Sequence, residues 1–213
     1  MNLRKKMVHI WIGPHKPPVH WMDTWKEKHP DWDYMVFTDE MLKSRKWHNQ
    51  HLIDKYYRDR VWAGVADLIR YELLYEDGGF LPPADSVCHN NTDELFTSPS
   101  DHAYTVFEND RDDHIAPNWI SPVQACNAGN TFVKMLIDTL HELKVSELDS
   151  RPWMSTGNYF LSQFVPEKES HKLIIWPSYY FIPKHFSIKS TPYVGDGKIY
   201  ADQQWGSTKK LFT

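Results

Sequence analysis

Residues 64–85 read GVADLIRYELLYEDGGFLPPAD, and the fold turns on this stretch. With Trp62 just before it, Val65, Ala66, Ile69 and Leu73 recur at the helical period, which predicts a helix over residues 61–76. The Asp77-Gly78-Gly79 turn stops that helix, because glycine tolerates the backbone angles of a helix end and a tight reversal. A strand is expected to begin near Phe80. Asp67 and Arg70 lie three positions apart, about 60° around the axis and beside the apolar stripe, so both sit at the edge of the core. In isolation they read as an i,i+3 ion pair worth about 0.2–0.5 kcal/mol. The following GGFLPPADSV presents Asp85 and Ser86 at a strand end, with little side-chain bulk at Gly78, Gly79 and Ala84. A hard cation takes oxygen ligands and lets diphosphate oxygens complete its shell when a protein offers only one or two carboxylates. Asp85 suits that partial role; the plainer alternative is a turn aspartate bonding its own backbone.

Outward from this stretch the elements alternate. MVHIWI (7–12) reads as a buried strand closed by Gly13-Pro14, residues 20–28 as a helix and DYMVFT (33–38) as a second strand. Farther on, 102–107 and 172–176 read as strands, and 131–143 as an amphipathic helix capped by Asn130. Such alternation predicts an α/β sheet. Residues 109–118 and 149–157 form polar loops of the kind that carry acceptor sites or lids. A chain of 213 residues without repeat or linker suits a single domain over residues 1–213.

Composition excludes several classes. A net charge of -4 with no Lys/Arg-rich block argues against a nucleic-acid partner, while 15% aromatic residues provide flat apolar faces for sugars and bases. Cys88 and Cys126 lack CxxC spacing, which reads as two buried free thiols in a reducing compartment. The apolar run near the N-terminus is only about six residues, too short for a signal segment or a membrane span. The expectation is a soluble cytoplasmic protein with no stable membrane insertion. No HExxH, GxSxG or P-loop pattern occurs, and His48 with His51 reads as an i,i+3 pair on a polar helix, at the solvated surface.

The stretch resembles glycosyltransferase family 32, whose sugar-binding region reads approximately ASDxxRYxxLYxxGGxYxDxD; the spacing is kept from Gly64 to Asp85. The resemblance extends to His9-Ile10-Trp11-Ile12-Gly13, to Ser155-Thr156-Gly157-Asn158 and to 177–201 running into Asp202-Gln203-Gln204-Trp205-Gly206-Ser207. The overall look is closest to compact virus-encoded members, such as chlorella-virus glycosyltransferase domains. It implies a GT-A fold, with a Rossmann-like central mixed β-sheet flanked by helices and a C-terminal flap over the donor site. The implied activity is metal-dependent, retaining transfer of a hexose or deoxyhexose from a UDP-sugar (UDP-glucose or a related UDP-hexose) to a glycan acceptor, with Mn²⁺ or Mg²⁺ as the cation. It would serve virus or cell-surface glycan synthesis.

Carried over by position, the resemblance implies that Trp11 packs on the uracil while the backbone around Ile10 and Ile12 reads its edge. Thr38 and Asp39 would lie beside the ribose or base, and Trp62 and Ala84 complete the donor-binding set. Asp67 would accept from sugar hydroxyls, Arg70 would bridge sugar and diphosphate, and Asp85 would hold the metal as the second acid of the Asp-x-Asp motif. Pro83 stands where the first acid belongs. Asp202 is the expected substitute ligand, and Gln204, Trp205 and Ser207 would cover or bond the phosphates. Retention implies that the departing phosphate takes the acceptor's proton, so no protein base is required. Glu108, Asp110, Asp112 and Asp113 fall in the acceptor loop, where they read equally as a solvated acidic run. Two other chemistries fit the same residues: a nucleotide-sugar or glycan-binding module disabled by Pro83, and a UDP-sugar hydrolase.

Overall fold

In the computed structural model, which describes residues 2–111, 119–187, 189–206, 208–209 and 211, the first strand β1 (Lys6–Ile10) is buried on both faces. Met7 packs into one apolar cluster, and Val8 and Ile10 into another, as the period-two alternation of strand side chains requires. The chain continues through α1 (Val19–Lys28), β2 (Asp33–Phe37), α2 (Asp39–Lys43), α3 (Gln50–Arg58) and α4 (Trp62–Asp77). Then come β3 (Gly79–Phe80), β4 (Ser86–Cys88), β5 (Ala103–Val106), β6 (Ala125–Cys126) and α5 (Thr131–His141). The short helices α6 (Pro152–Ser155) and α7 (Asn158–Ser162) precede β7 (Leu173–Trp176) and β8 (Ala201–Gln203).

Six strands form one mixed sheet in the order β2-β1-β3-β6-β5-β7. β1 is parallel to β2 and β3, β5 is parallel to β7, and β6 runs antiparallel between β3 and β5. A separate antiparallel ribbon pairs β4 with β8. This is the α/β architecture that the alternating pattern predicts. One core lies between the sheet and α3, α4 and α5; the other, rich in aromatics, gathers around Trp25, Phe80 and Trp176. Trp25 of α1 is fully buried and its Nε1 donates to the Ser86 carbonyl at 3.1 Å, which ties α1 to β4.

The two glycines after α4 have a steric reason. Gly78 has φ 66 and Gly79 has φ 106, and a Cβ at Gly79 would run into the Lys6 carbonyl. Only a residue without a side chain lets β3 close on β1, pairing Phe80 with Met7. At α5 the expected cap is present: Asn130 Oδ1 accepts from the Val133 amide at 3.1 Å.

Several expectations are corrected. β1 ends at Ile10, so Trp11 and Ile12 lie beyond it. The stretch 149–157 is no free lid: it carries α6, and the buried Thr156 carbonyl accepts from Tyr71 Oη at 2.9 Å. His48 precedes α3 rather than lying on it, and its ring is 4.3 Å from that of His141. Cys88 and Cys126 are free and buried, as expected, and burial pushes both thiols up to about 12. No helix among the described residues is long and apolar enough to cross a membrane.

Candidate active site

The edge of α4 holds Asp67 and Arg70, one turn apart. They do not bond to each other. Asp67 Oδ2 accepts from Thr156 Oγ1 at 3.1 Å, and Gly157 leaves room for it, since a Cβ there would come within 2.9 Å of the same oxygen. Arg70 Nη1 donates to the Leu81 carbonyl, and its Nε is buried with no partner among the described residues. Burial pushes the Asp67 carboxyl up to about 7, against the opposing pull of the Arg70 charge and the Thr156 hydroxyl. An exposed i,i+3 ion pair would show none of this.

Arg70 opens into a cavity of about 170 Å³ that Pro83, Glu108, Gln124, Asn158 and Trp205 also line. Glu108 was readable only as one of a run of acids, yet it is buried. Its Oε2 accepts from Asn158 Nδ2 at 2.5 Å, and its Oε1 from His185 Nε2 at 3.0 Å. Asp110 likewise accepts from the Ser178 hydroxyl, at 2.5 Å. Glu108 is thus no solvated acid, whereas Asp110 is exposed; Asp112 and Asp113 lie outside the described residues. Glu108 and Gln124 are the cavity residues whose placement the sequence did not disclose, and His185 stands behind Glu108.

At the other end of α4 an open groove of about 420 Å³ is lined by Gly13, Pro14, Asp39, Tyr57, Arg60 and Trp62. Asp39 is fixed there, accepting from the Gly13 amide at 2.9 Å and from Tyr57 Oη at 3.0 Å. Trp62 packs against Gly13 and crosses the Tyr57 ring at 5.1 Å. Thr38 immediately precedes α2. Trp11 follows the carboxyl end of β1, where α/β folds bind ligands, and its Nε1 donates to the His15 carbonyl at 2.7 Å. The side chains of Ile10 and Ile12 are buried in the core, so any contact they make with a base is through the backbone. From Trp62 to Arg70 the helix rises about 12 Å, at about 1.5 Å per residue.

The C-terminal segment closes the cavity's far side. Gln204 donates its amide to the Asp85 carbonyl at 2.8 Å. The Asp85 carboxylate accepts from Gln203 Nε2 at 2.7 Å and from the Gly206 amide at 2.9 Å. Trp205, at φ 60, occupies a region that bulky residues rarely adopt, and its Nε1 donates to the Lys184 carbonyl at 3.3 Å. Asp202 and Gln204 line a neighbouring groove beside Lys184 and His185 instead of the Arg70 cavity. Ala84 is buried next to Asp85, and Ser207 lies outside the described residues.

As a cation site this donor set is sparse. Among the described residues no group of three His, Cys, Asp or Glu is arranged to hold a metal ion, and Pro83 removes one acid of the motif. Each Asp85 oxygen accepts one hydrogen bond and retains a lone pair. That fits a cation carried largely by phosphate oxygens, with Asp85 as a partial ligand.

Residues 18–101, from α1 through α4 to just before β5, match the family described as the glycosyltransferase sugar-binding region containing a DXD motif. The chain has a fold of the GT-A type. Among solved structures the chain is similar to PaToxG glycosyltransferase, with a TM-score of 0.58 and 15% identity, over 79% of this chain and 72% of that one. The likeness shows a shared fold. It is also similar, with a TM-score of 0.42 and 10% identity over 82% of each chain, to a glycosyltransferase involved in the glycosylation of the major capsid of PBCV-1; similarity at that level does not bear on function. No curated protein sequence matches the chain.

Proposed function

We propose that this chain is a glycosyltransferase that moves a hexose or deoxyhexose from a UDP-sugar to a glycan acceptor, with residues 1–213 acting as one catalytic unit. The observation that carries the reading is that α4 links an aromatic groove at Trp62 to a polar cavity at Arg70 about 12 Å farther on. That span suits a nucleoside diphosphate joining a base to a sugar. Trp11 and Trp62 supply faces for the uracil, for which stacking contributes about 1–3 kcal/mol. Asp39, beside them, is a carboxylate for ribose hydroxyls.

Beside the cavity, Asp67 accepts from the hexose hydroxyls, and Arg70 directs its unsatisfied Nε at the diphosphate. The bond from the anomeric carbon to the diphosphate oxygen breaks, and its electron pair leaves on UDP. Arg70 stabilises that developing charge. The acceptor oxygen bonds the anomeric carbon from the same face, and its proton passes to the departing phosphate. A divalent cation, Mn²⁺ or Mg²⁺, would supply further neutralisation of the diphosphate, held by Asp85 with Asp202 as the nearest additional carboxylate of the ribbon. Trp205 and Gln203 exclude water from the cavity, which separates transfer from hydrolysis.

The test is calorimetric titration of UDP, UDP-glucose, UDP-galactose and UDP-deoxyhexoses with and without Mn²⁺, followed by assays of turnover with glycan acceptors. Arg70→Ala should weaken UDP binding and lower kcat/KM by about 10²–10³. Binding without turnover would identify a binding module. Release of free sugar that acceptors never divert would identify a hydrolase.

A further inference from the structure

Two buried acceptors, Glu108 and Gln124, line the Arg70 cavity. Glu108 is 8% exposed and His185 2%. The Ser187 amide donates to His185 Nδ1 at 3.2 Å, so Nε2 carries the hydrogen that Glu108 accepts. Asn158 Nδ2 clamps the second carboxylate oxygen at 2.5 Å. The carboxylate is thus held rigidly from behind by two donors on distant parts of the chain while its remaining lone pairs border the cavity.

Gln124 gives the second observation. It is 2% exposed, lines the same cavity, and its Oε1 has no partner among the described residues. A buried acceptor left unpaired costs about 1–3 kcal/mol, a cost that a ligand donating a hydrogen bond would remove. Across the cavity Arg70 Nε is an unpartnered donor, and Phe181 and Ile182 provide an apolar wall. At about 170 Å³ the space is smaller than sites for drug-sized ligands, which start near about 300 Å³. Two acceptors, one donor and an apolar face in a space of that size complement a single polyhydroxylated ring.

We infer that Glu108 and Gln124 accept hydrogen bonds from hydroxyl groups of the transferred sugar and thereby set which hexose the enzyme uses. This rests on the donor reading above and deepens it. A sugar lacking the hydroxyl, or carrying it in the other configuration, leaves a buried acceptor unpaired; sites of that kind reject analogues by up to about 10⁴–10⁵. His185 and Asn158 are positioning residues, acting through Glu108.

The experiment uses the whole chain and the variants Glu108→Gln and Gln124→Met. UDP alone is titrated first; an unchanged Kd in both variants shows that fold and nucleotide groove are intact. Turnover is then compared across UDP-glucose, UDP-galactose, UDP-xylose, UDP-rhamnose and UDP-N-acetylglucosamine. The expected result is at least a tenfold fall in the ratio between the best and second-best sugar in each variant, through loss with the best one. Gln124→Met keeps the test open should Glu108→Gln fold poorly, because Gln124 Oε1 supports nothing in the protein. Ratios within twofold of wild type, with UDP binding intact, overturn the assignment. Failure of the wild type to bind UDP or any of these UDP-sugars instead overturns the donor reading, and this inference with it.

Discussion

Asp67 carries a proton at pH values where an exposed aspartate has lost it. Its carboxyl titrates at about 7 in the fold, against about 3.9 in an unfolded chain. Between those values the folded state binds the extra proton, so stability is greatest below about pH 4 on this account and declines as pH rises through 7. Asp67→Asn should flatten that decline and leave the protein more resistant to urea at pH 8 than the wild type, with little difference at pH 4. An unaltered slope in the variant would show that another group governs it. The residue scale also shows what the sequence could disclose. Asp67 and Arg70 were legible because helical periodicity fixes their position relative to the apolar stripe. Glu108 was not: in the string ENDRDD a buried acid and a solvated one look alike, and the partner that distinguishes them, His185, is 77 positions away.

Helix α4 was the most legible element, being long, periodic and ended by glycine, and its contacts explain two further expectations. Gly64 lies against the Tyr56 ring of α3, where a Cβ would clash. Gly64→Ala therefore gains about 1 kcal/mol of helix propensity yet should destabilise the protein by a net ~1–2 kcal/mol through overpacking, read as a lower denaturant midpoint. Glu72 is buried and accepts from the His48 and Asn49 amides at 2.8 and 3.0 Å, fixing the entry to α3. Glu72→Ala should cost about 2–3 kcal/mol, because two buried amides lose a charged acceptor. A loss below about 0.5 kcal/mol would mean that the entry to α3 reorganises freely. Short elements escaped the sequence reading for the complementary reason: α6 and β8 span too few residues for any period to register, and tertiary contacts alone define them.

At the scale of the molecule, the strand pairings join distant parts of the chain, and the ribbon of β4 and β8 is the pairing that periodicity could not reveal. Asp85 reinforces it through Gln203 and Gly206. In Asp85→Asn one of those two donors would face an amide nitrogen, so the segment after Gln203 should be cleaved faster in limited proteolysis without any metal present. The same variant should weaken Mn²⁺-dependent binding of UDP-sugar. Unchanged cleavage would remove Asp85 as the tether. Pairing the region after α4 with residues near 203 also has a kinetic meaning. On the ribosome, α4 and the motif loop emerge long before Gln203 and Trp205, so a nascent chain holds the Arg70 cavity with one wall missing. The cavity is therefore completed as a late step of synthesis, when β8 zips onto β4.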